Sequence, residues 1–172
     1  MQFFLALGSN LGDRSHFLAG AVGALGDVAK KLSNVYETEA VGGPKGQGSY
    51  LNMVLQAETT VGPFAMLRWI NSIEMEYGRV RGVVNGPRTL DIDIVYVEGV
   101  RVKSKELVIP HPRAFERGFV IAPLADLSPA VALEISPSLY GALKRESPRV
   151  GTEVLPGVID VGLLGDLNEL YG

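Results

Sequence analysis

Eleven residues limit what this chain can become: Gly86-Pro87-Arg88-Thr89-Leu90-Asp91-Ile92-Asp93-Ile94-Val95-Tyr96. A Gly-Pro turn feeds an alternating segment that ends in a continuous apolar run, the pattern of a buried strand. Successive strand side chains point to opposite faces, so Leu90, Ile92 and Ile94 share one face and Asp91 and Asp93 the other. Two ionised carboxylates side by side in an apolar strand are costly unless a cation neutralises them. With no Cys and no His cluster nearby, an all-oxygen donor set suits a hard ion. Mg²⁺ held by one or two carboxylates together with phosphate oxygens is the usual form. Arg88, just upstream, adds a guanidinium suited to clamping a phosphate. The other reading of the pair stays open at this point: a D-x-D at a strand end that bonds to neighbouring arginines or loop amides.

At 172 residues the chain has mass for one domain with a proper core. Hydrophobic residues make up 47% and charged residues 20%, a globular balance. The apolar runs are too short for a membrane span, and the start Met1-Gln2-Phe3-Phe4-Leu5-Ala6-Leu7 lacks a basic, signal-like region, so a cytoplasmic location is expected. The absence of Cys excludes disulfides, thiolate nucleophiles and Cys-based metal centres, and two histidines exclude a multi-His site. A net charge of −3 argues against broad nucleic-acid binding. Arg79, Arg81 and Arg88 nevertheless crowd one Gly-containing region, which fits a compact anion site.

Along the chain, Phe3 to Leu7 reads as a first strand, and the turn formers Gly8 to Asp13 lead into a helix carrying Leu18, Ala21, Leu25 and Val28. Neither this turn nor Gly42 to Gly48 contains a complete phosphate-loop or dinucleotide fingerprint. Ser33 to Ala40 reads as a second strand, the Gly-rich 42–48 stretch as a flap or hairpin connection, and Tyr50 to Thr59 as a third strand. That strand puts Tyr50, Asn52, Val54 and Gln56 opposite Leu51, Met53, Leu55 and Ala57. Asn52 there either reads a ligand edge or makes a cross-strand bond. Gly62-Pro63 starts a helix with an apolar stripe of Met66, Ile70, Ile73 and Tyr77, stopped by Gly78. Glu74 is either a surface charge or part of a site beginning at Arg79. Glu98-Gly99 suggests a hairpin between Val95–Val97 and Val100–Val102. Leu107 to Ile109 then delivers His111, Arg113 and Arg117, a second group of phosphate-compatible donors. Short helices are expected over 120–127 and 139–144, and from about Pro148 no chemistry is visible.

Ala6-Leu7-Gly8-Ser9-Asn10-Leu11-Gly12-Asp13-Arg14, Tyr50-Leu51-Asn52, Gly78-Arg79-Val80-Arg81, Gly86 to Ile94 and Ile109-Pro110-His111-Pro112-Arg113, in that order, resemble one family. It is 6-hydroxymethyl-7,8-dihydropterin pyrophosphokinase of folate biosynthesis, and the resemblance reaches to about Pro129. It implies a single-domain α+β, ferredoxin-like fold with an antiparallel sheet packed by helices, and transfer of the pyrophosphoryl group of ATP to the pterin hydroxyl. By the same resemblance Asp91 and Asp93 hold two Mg²⁺ ions. Arg79, Arg81 and Arg88 serve catalysis and the phosphates. Glu74, Ile94, His111 and Arg117 join the ATP site, and Tyr36, Thr38, Val41, Tyr50, Asn52 and Phe119 bind the pterin. No side chain is an obvious general base. The stretches 42–48 and 78–86 are the expected flaps.

The chain departs from the family pattern in three places. Val84-Asn85 stands where an aromatic cover precedes the Gly-Pro-Arg, Pro112 follows the His, and Glu106 occupies a place often basic, with Lys103 or Lys105 as candidate replacements. The expected partners are the pterin and ATP, with no nucleic acid and no membrane, acting on a monomer. Two rivals use part of the same pattern: a palm-like nucleotidyl transferase, which wants a broad basic groove, and a non-enzymatic nucleotide-binding module, which does not need paired strand carboxylates.

Overall fold

The computed structural model of the chain describes residues 1–79, 86–146 and 158–160. Arg81, Val84 and Asn85 lie outside the described residues, as does most of the stretch beyond Pro148. Alternation and turn chemistry produce seven elements of an interleaved pattern. Strand β1 (Gln2–Ser9) is followed by helix α1 (Arg14–Leu25), strands β2 (Ala29–Leu32), β3 (Tyr36–Thr38) and β4 (Tyr50–Glu58), helix α2 (Pro63–Glu76) and strand β5 (Asp91–Val97). The sheet runs β5-β1-β4-β3, with β2 also on β4, and these pairs are antiparallel. Taking β2 and β3 as one interrupted strand, this is the ferredoxin-like order.

Helices α1 and α2 cover one face. Leu18, Ala21, Leu25, Met66, Ile70 and Ile73 pack there on Phe3, Leu5, Leu7, Leu51, Met53, Leu55, Ile92 and Ile94. The opposite face, carrying Phe4, Val54, Val95 and Tyr96, is covered by α3 (Gly118–Leu127), α4 (Pro129–Ile135) and α5 (Pro137–Glu146). Both faces of β4 are therefore buried, and its alternation separates two cores rather than core from water. The glycines of α1 have one visible use: a Cβ on Gly20 would come within 2.4 Å of the Tyr77 ring. Here close helix packing outweighs the helix propensity that Gly lacks.

Three expectations are corrected. The strand expected over 33–40 is confined to β3, and a further strand, β2, precedes it; the two are separated where the Ser33 hydroxyl accepts the Val54 N–H at 2.8 Å while the Ser33 N–H donates to the Val54 carbonyl at 2.9 Å. A side chain replaces a ladder carbonyl there, and the regular pairing breaks into β2 and β3. The turn at Glu98-Gly99 forms, with the Val100 N–H donating to the Val97 carbonyl, but no β5 hairpin follows it. Instead β6 (Val102–Lys103) pairs with β7 (Val108–Ile109), and the His111 N–H occupies the Val95 carbonyl at 2.8 Å. Helix α4 was not expected. Its signal was Ser128-Pro129, where the Ser128 side chain accepts the Val131 N–H and Pro occupies the first turn. From the tail, β8 (Val158–Asp160) adds antiparallel to β3.

Candidate active site

The antiparallel register brings the end of β1 beside the starts of β4 and β5. Gly8 pairs with both Asn52 and Asp91, and Ala6 with both Val54 and Asp93. Two small side chains on the middle strand leave a pit between Asn52 on one side and the Asp pair on the other. Thr38, Val41, Tyr50, Asn52, Arg88, Asp91, Asp93, Arg117 and Phe119 all line this cleft, whose volume is about 690 Å³ including its open mouth. Glu39 lines it too, although nothing in the sequence singled it out. The want of a side chain at Gly8 matters: a Cβ there would sit 2.9 Å from Asn52 Oδ1. Gly8→Ala should therefore push the carboxamide aside and raise the KM for a ligand held by Asn52 about tenfold, with the fold retained. Steady-state kinetics beside a thermal melt checks this.

The two aspartates differ in their company. Asp91 is gripped by Arg79 at 2.8 Å and Arg88 at 2.9 Å. Among the described residues Asp93 has one distant cation, Arg117 at 3.8 Å, and the His111 imidazole at 3.9 Å. Burial, and then the charge of Asp91, push the Asp93 carboxyl above the usual carboxylate range. His111 Nδ1 accepts the Arg113 N–H at 3.2 Å, so the neutral ring carries its proton on Nε2, the atom facing Asp93. Burial lowers the affinity of that imidazole for a second proton. Arg88 is driven the other way: burial disfavours its charge, but Asp91 more than compensates and holds it protonated. Burial also raises the Tyr50 phenol, whose hydroxyl donates to the Gly86 carbonyl at 3.3 Å.

A family model described as 7,8-dihydro-6-hydroxymethylpterin-pyrophosphokinase (HPPK) matches residues 4–129. The chain belongs to that family. It is 42% identical over 135 residues to the 2-amino-4-hydroxy-6-hydroxymethyldihydropteridine pyrophosphokinase of Bacillus subtilis, covering 76% of this chain and 80% of the relative. The protein of the same name from Aquifex aeolicus is 37% identical over 147 residues, covering 84% of this chain and 89% of the relative. In the bifunctional protein FolKE of Lactococcus lactis the likeness, 40% over 128 residues, spans 72% of this chain and 36% of the relative. Among solved structures, a Plasmodium falciparum HPPK-DHPS overlays with a TM-score of 0.61 at 14% identity, covering 91% of this chain and 48% of that one, which shows the shared fold.

Not every residue assigned through the HPPK resemblance reaches the cleft. Tyr36 is turned away, its hydroxyl donating to the Asp126 carboxylate at 2.9 Å, so it clamps β3 to α3 rather than walling a ligand. Ile94 lies in the apolar core beneath α1 and α2. Lys103, Lys105, Glu106 and Pro112 are exposed. Glu74 is no surface charge: it is 2% exposed, accepts the Ile92 N–H at 2.7 Å and pairs with Arg79. It thereby ties α2 to the strand bearing the aspartates and holds the arginine that reaches Asp91.

Burial lifts the Glu74 carboxyl from 4.5 to about 7, against the opposing pull of the Ile92 amide and Arg79. A raised acid pKa means that the native state binds the proton more tightly than the unfolded chain. The stability this confers is present in full below about pH 4.5 and is lost as pH rises through about 7. Glu74→Gln keeps an oxygen for the Ile92 amide and should flatten that decline, which is bounded at about 3 kcal/mol. Urea unfolding at the two ends of the window measures it, and an unchanged slope would contradict the assignment.

Proposed function

We propose that the chain transfers the β,γ-pyrophosphoryl group of ATP to the hydroxyl of 6-hydroxymethyl-7,8-dihydropterin, giving AMP and the pterin diphosphate for folate biosynthesis. The observation that carries this reading is one cleft with a flat-ligand end, Asn52, Tyr50 and Phe119, joined to an anion end, Asp91, Asp93, Arg88 and Arg117. The first suits a pterin, whose ring faces stack and whose amide-like edge matches a carboxamide. The second suits a triphosphate together with the metal that accompanies it.

The donor set fits Mg²⁺: two carboxylate groups on one strand face, with phosphate and water left to complete the shell. Among the described residues no cluster of three or more metal-ligating side chains exists, so a cage built from protein alone is not available. Asp91 and Asp93 would hold the two ions. When bound, Mg²⁺ would neutralise the triphosphate and lower the pKa of the nearby hydroxyl, standing in for a general base, which no side chain among the described residues obviously supplies.

The protein's own residues do the remaining work. Asn52 orients the ring so that its hydroxymethyl arm points toward the Asp pair. The hydroxyl oxygen forms a bond to the β-phosphorus, the bond from that phosphorus to the α,β-bridging oxygen breaks, and AMP leaves with that oxygen. The hydroxyl proton passes to solvent. Arg79 and Arg88, both paired with Asp91, supply guanidinium forks that a phosphate can take over. Arg117, which stacks its guanidinium 5.6 Å from the Phe119 ring centre, bridges the phosphate end and the ring wall. Arg81 belongs by its place in the sequence to the same phosphate set. The 42–48 loop excludes water during transfer; most of the second expected flap, 78–86, lies outside the described residues. The reaction takes place on a cytoplasmic monomer.

Mixing the purified chain with ATP, Mg²⁺ and the pterin should release AMP only when all three are present. ATP breakdown indifferent to the pterin, or ADP as the nucleotide product, would overturn the reading.

A further inference from the structure

Asn10 lies outside every role described so far, yet it is 6% exposed and its side chain is fully used. Its Oδ1 accepts the Arg88 N–H at 2.8 Å, and its own backbone N–H donates to the Arg88 carbonyl at 3.1 Å. Its Nδ2 donates to the Gly48 carbonyl at 3.1 Å and to Gln47 Oε1 at 3.3 Å. Gln47 in turn donates from Nε2 to the Gly42 carbonyl at 3.2 Å, which closes the 42–48 loop on itself. The loop also approaches the backbone of Asn10 closely: a Cβ on Gly48 would stand 3.3 Å from the Asn10 carbonyl oxygen. One buried carboxamide therefore holds two segments far apart in sequence, the loop beside the pterin end and the residue that grips Asp91.

We propose that Asn10 is a positioning residue that fixes the backbone of Arg88 to the end of the 42–48 loop. The loop wall and the Arg88 guanidinium are then set by one side chain. This rests on the pyrophosphokinase reading for its kinetic consequences, but the linkage itself is a property of the ligand-free chain. A buried carboxamide with donor and acceptor both engaged cannot be shortened without orphaning partners on both segments. The two arms are chemically separable. Asp in this position keeps an oxygen for the Arg88 N–H and loses the donor to Gly48 and Gln47, whereas Ala loses both arms.

Hydrogen exchange on the ligand-free protein reads the linkage directly. Asn10→Ala should speed exchange about tenfold in peptides covering 42–48 and in those covering 86–88. Asn10→Asp should do so only over 42–48. Beside this, Asn10→Ala should raise the pterin KM about tenfold and lower kcat, and adding Gln47→Ala should speed exchange further over 42–48 alone, because it removes the bond to the Gly42 carbonyl that Asn10→Ala leaves in place. Unchanged exchange at 86–88 in Asn10→Ala, with 42–48 loosened, would overturn the proposal. So would a drop in melting temperature with both segments and both kinetic constants as in the parent. If the parent protein releases no pterin-dependent AMP, the functional reading fails, while the exchange pattern still decides the role of Asn10. Should Asn10→Ala fail to fold, Asn10→Asp carries the test: acceleration confined to 42–48 supports the two-arm linkage, and acceleration at 86–88 as well contradicts it.

Discussion

Asp93→Ala should lower pterin-dependent AMP release about a thousandfold while leaving the fold intact, and the contrast between the two aspartates is the reason. Asp91 is already engaged by Arg79 and Arg88, so part of its charge is spent on the protein itself. Asp93 keeps its oxygens open toward the cleft, with Arg117 and His111 no nearer than 3.8 Å. It is the carboxylate best placed to meet an incoming cation, and Ala removes that charge outright. Activity and stability should move in opposite directions. Without a metal, Asp93 is crowded by the like charge of Asp91, and deleting it relieves that repulsion. The melting temperature of Asp93→Ala in chelator should equal or exceed that of the parent. A variant that lost both stability and activity would mean that Asp93 is a structural ion-pair member.

Asn52→Leu should cut kcat/KM for the pterin about a hundredfold or more and leave the KM for ATP near its parent value. Asn52 spends one N–H on Thr38 Oγ1 at 2.8 Å, and that bond aims the carboxamide. The group is 6% exposed and lines the cleft above Gly8, which leaves its oxygen and second N–H for a ligand edge. Leu matches its size but offers neither, so the ligand's polar edge is buried without partners, the situation in which discrimination is largest. Kinetics at saturating ATP, repeated with ATP varied, separates the two constants. An equal rise in both KM values would place Asn52 in general closure of the cleft instead.

Much of this was legible because strand periodicity is a local signal. The eleven residues from Gly86 placed two carboxylates on one face of β5, and β4 separated Asn52 from Leu51 and Met53 as its alternation required. What alternation could not carry was competition for hydrogen bonds by groups distant in sequence. Ser33 breaks a strand because its hydroxyl reaches Val54, and His111 blocks a hairpin by taking the Val95 carbonyl. Tyr36 illustrates the same limit: it shares β3 with Thr38, but Asp126 draws its phenol to α3. The open choice at Glu74 was decided by burial against β5, which no helix-end pattern encodes. Of the two sequence readings of Asp91 and Asp93, the structure shows the bonding to neighbouring arginines, at Asp91, while the hard-cation reading belongs to the proposal. Asp91 bonds to Arg79 and Arg88, and with Asp93 it presents oxygen donors of the kind that a hard cation takes.

The most direct test of the account follows phosphorus by nuclear magnetic resonance while the purified chain acts on ATP, Mg²⁺ and 6-hydroxymethyl-7,8-dihydropterin. Transfer of the β,γ group as one unit predicts that AMP grows in step with a pair of coupled diphosphate signals on the pterin, with neither ADP nor inorganic pyrophosphate ahead of them. ADP appearing together with a single uncoupled pterin monophosphate signal would contradict it, because attack would then have fallen on the γ-phosphorus.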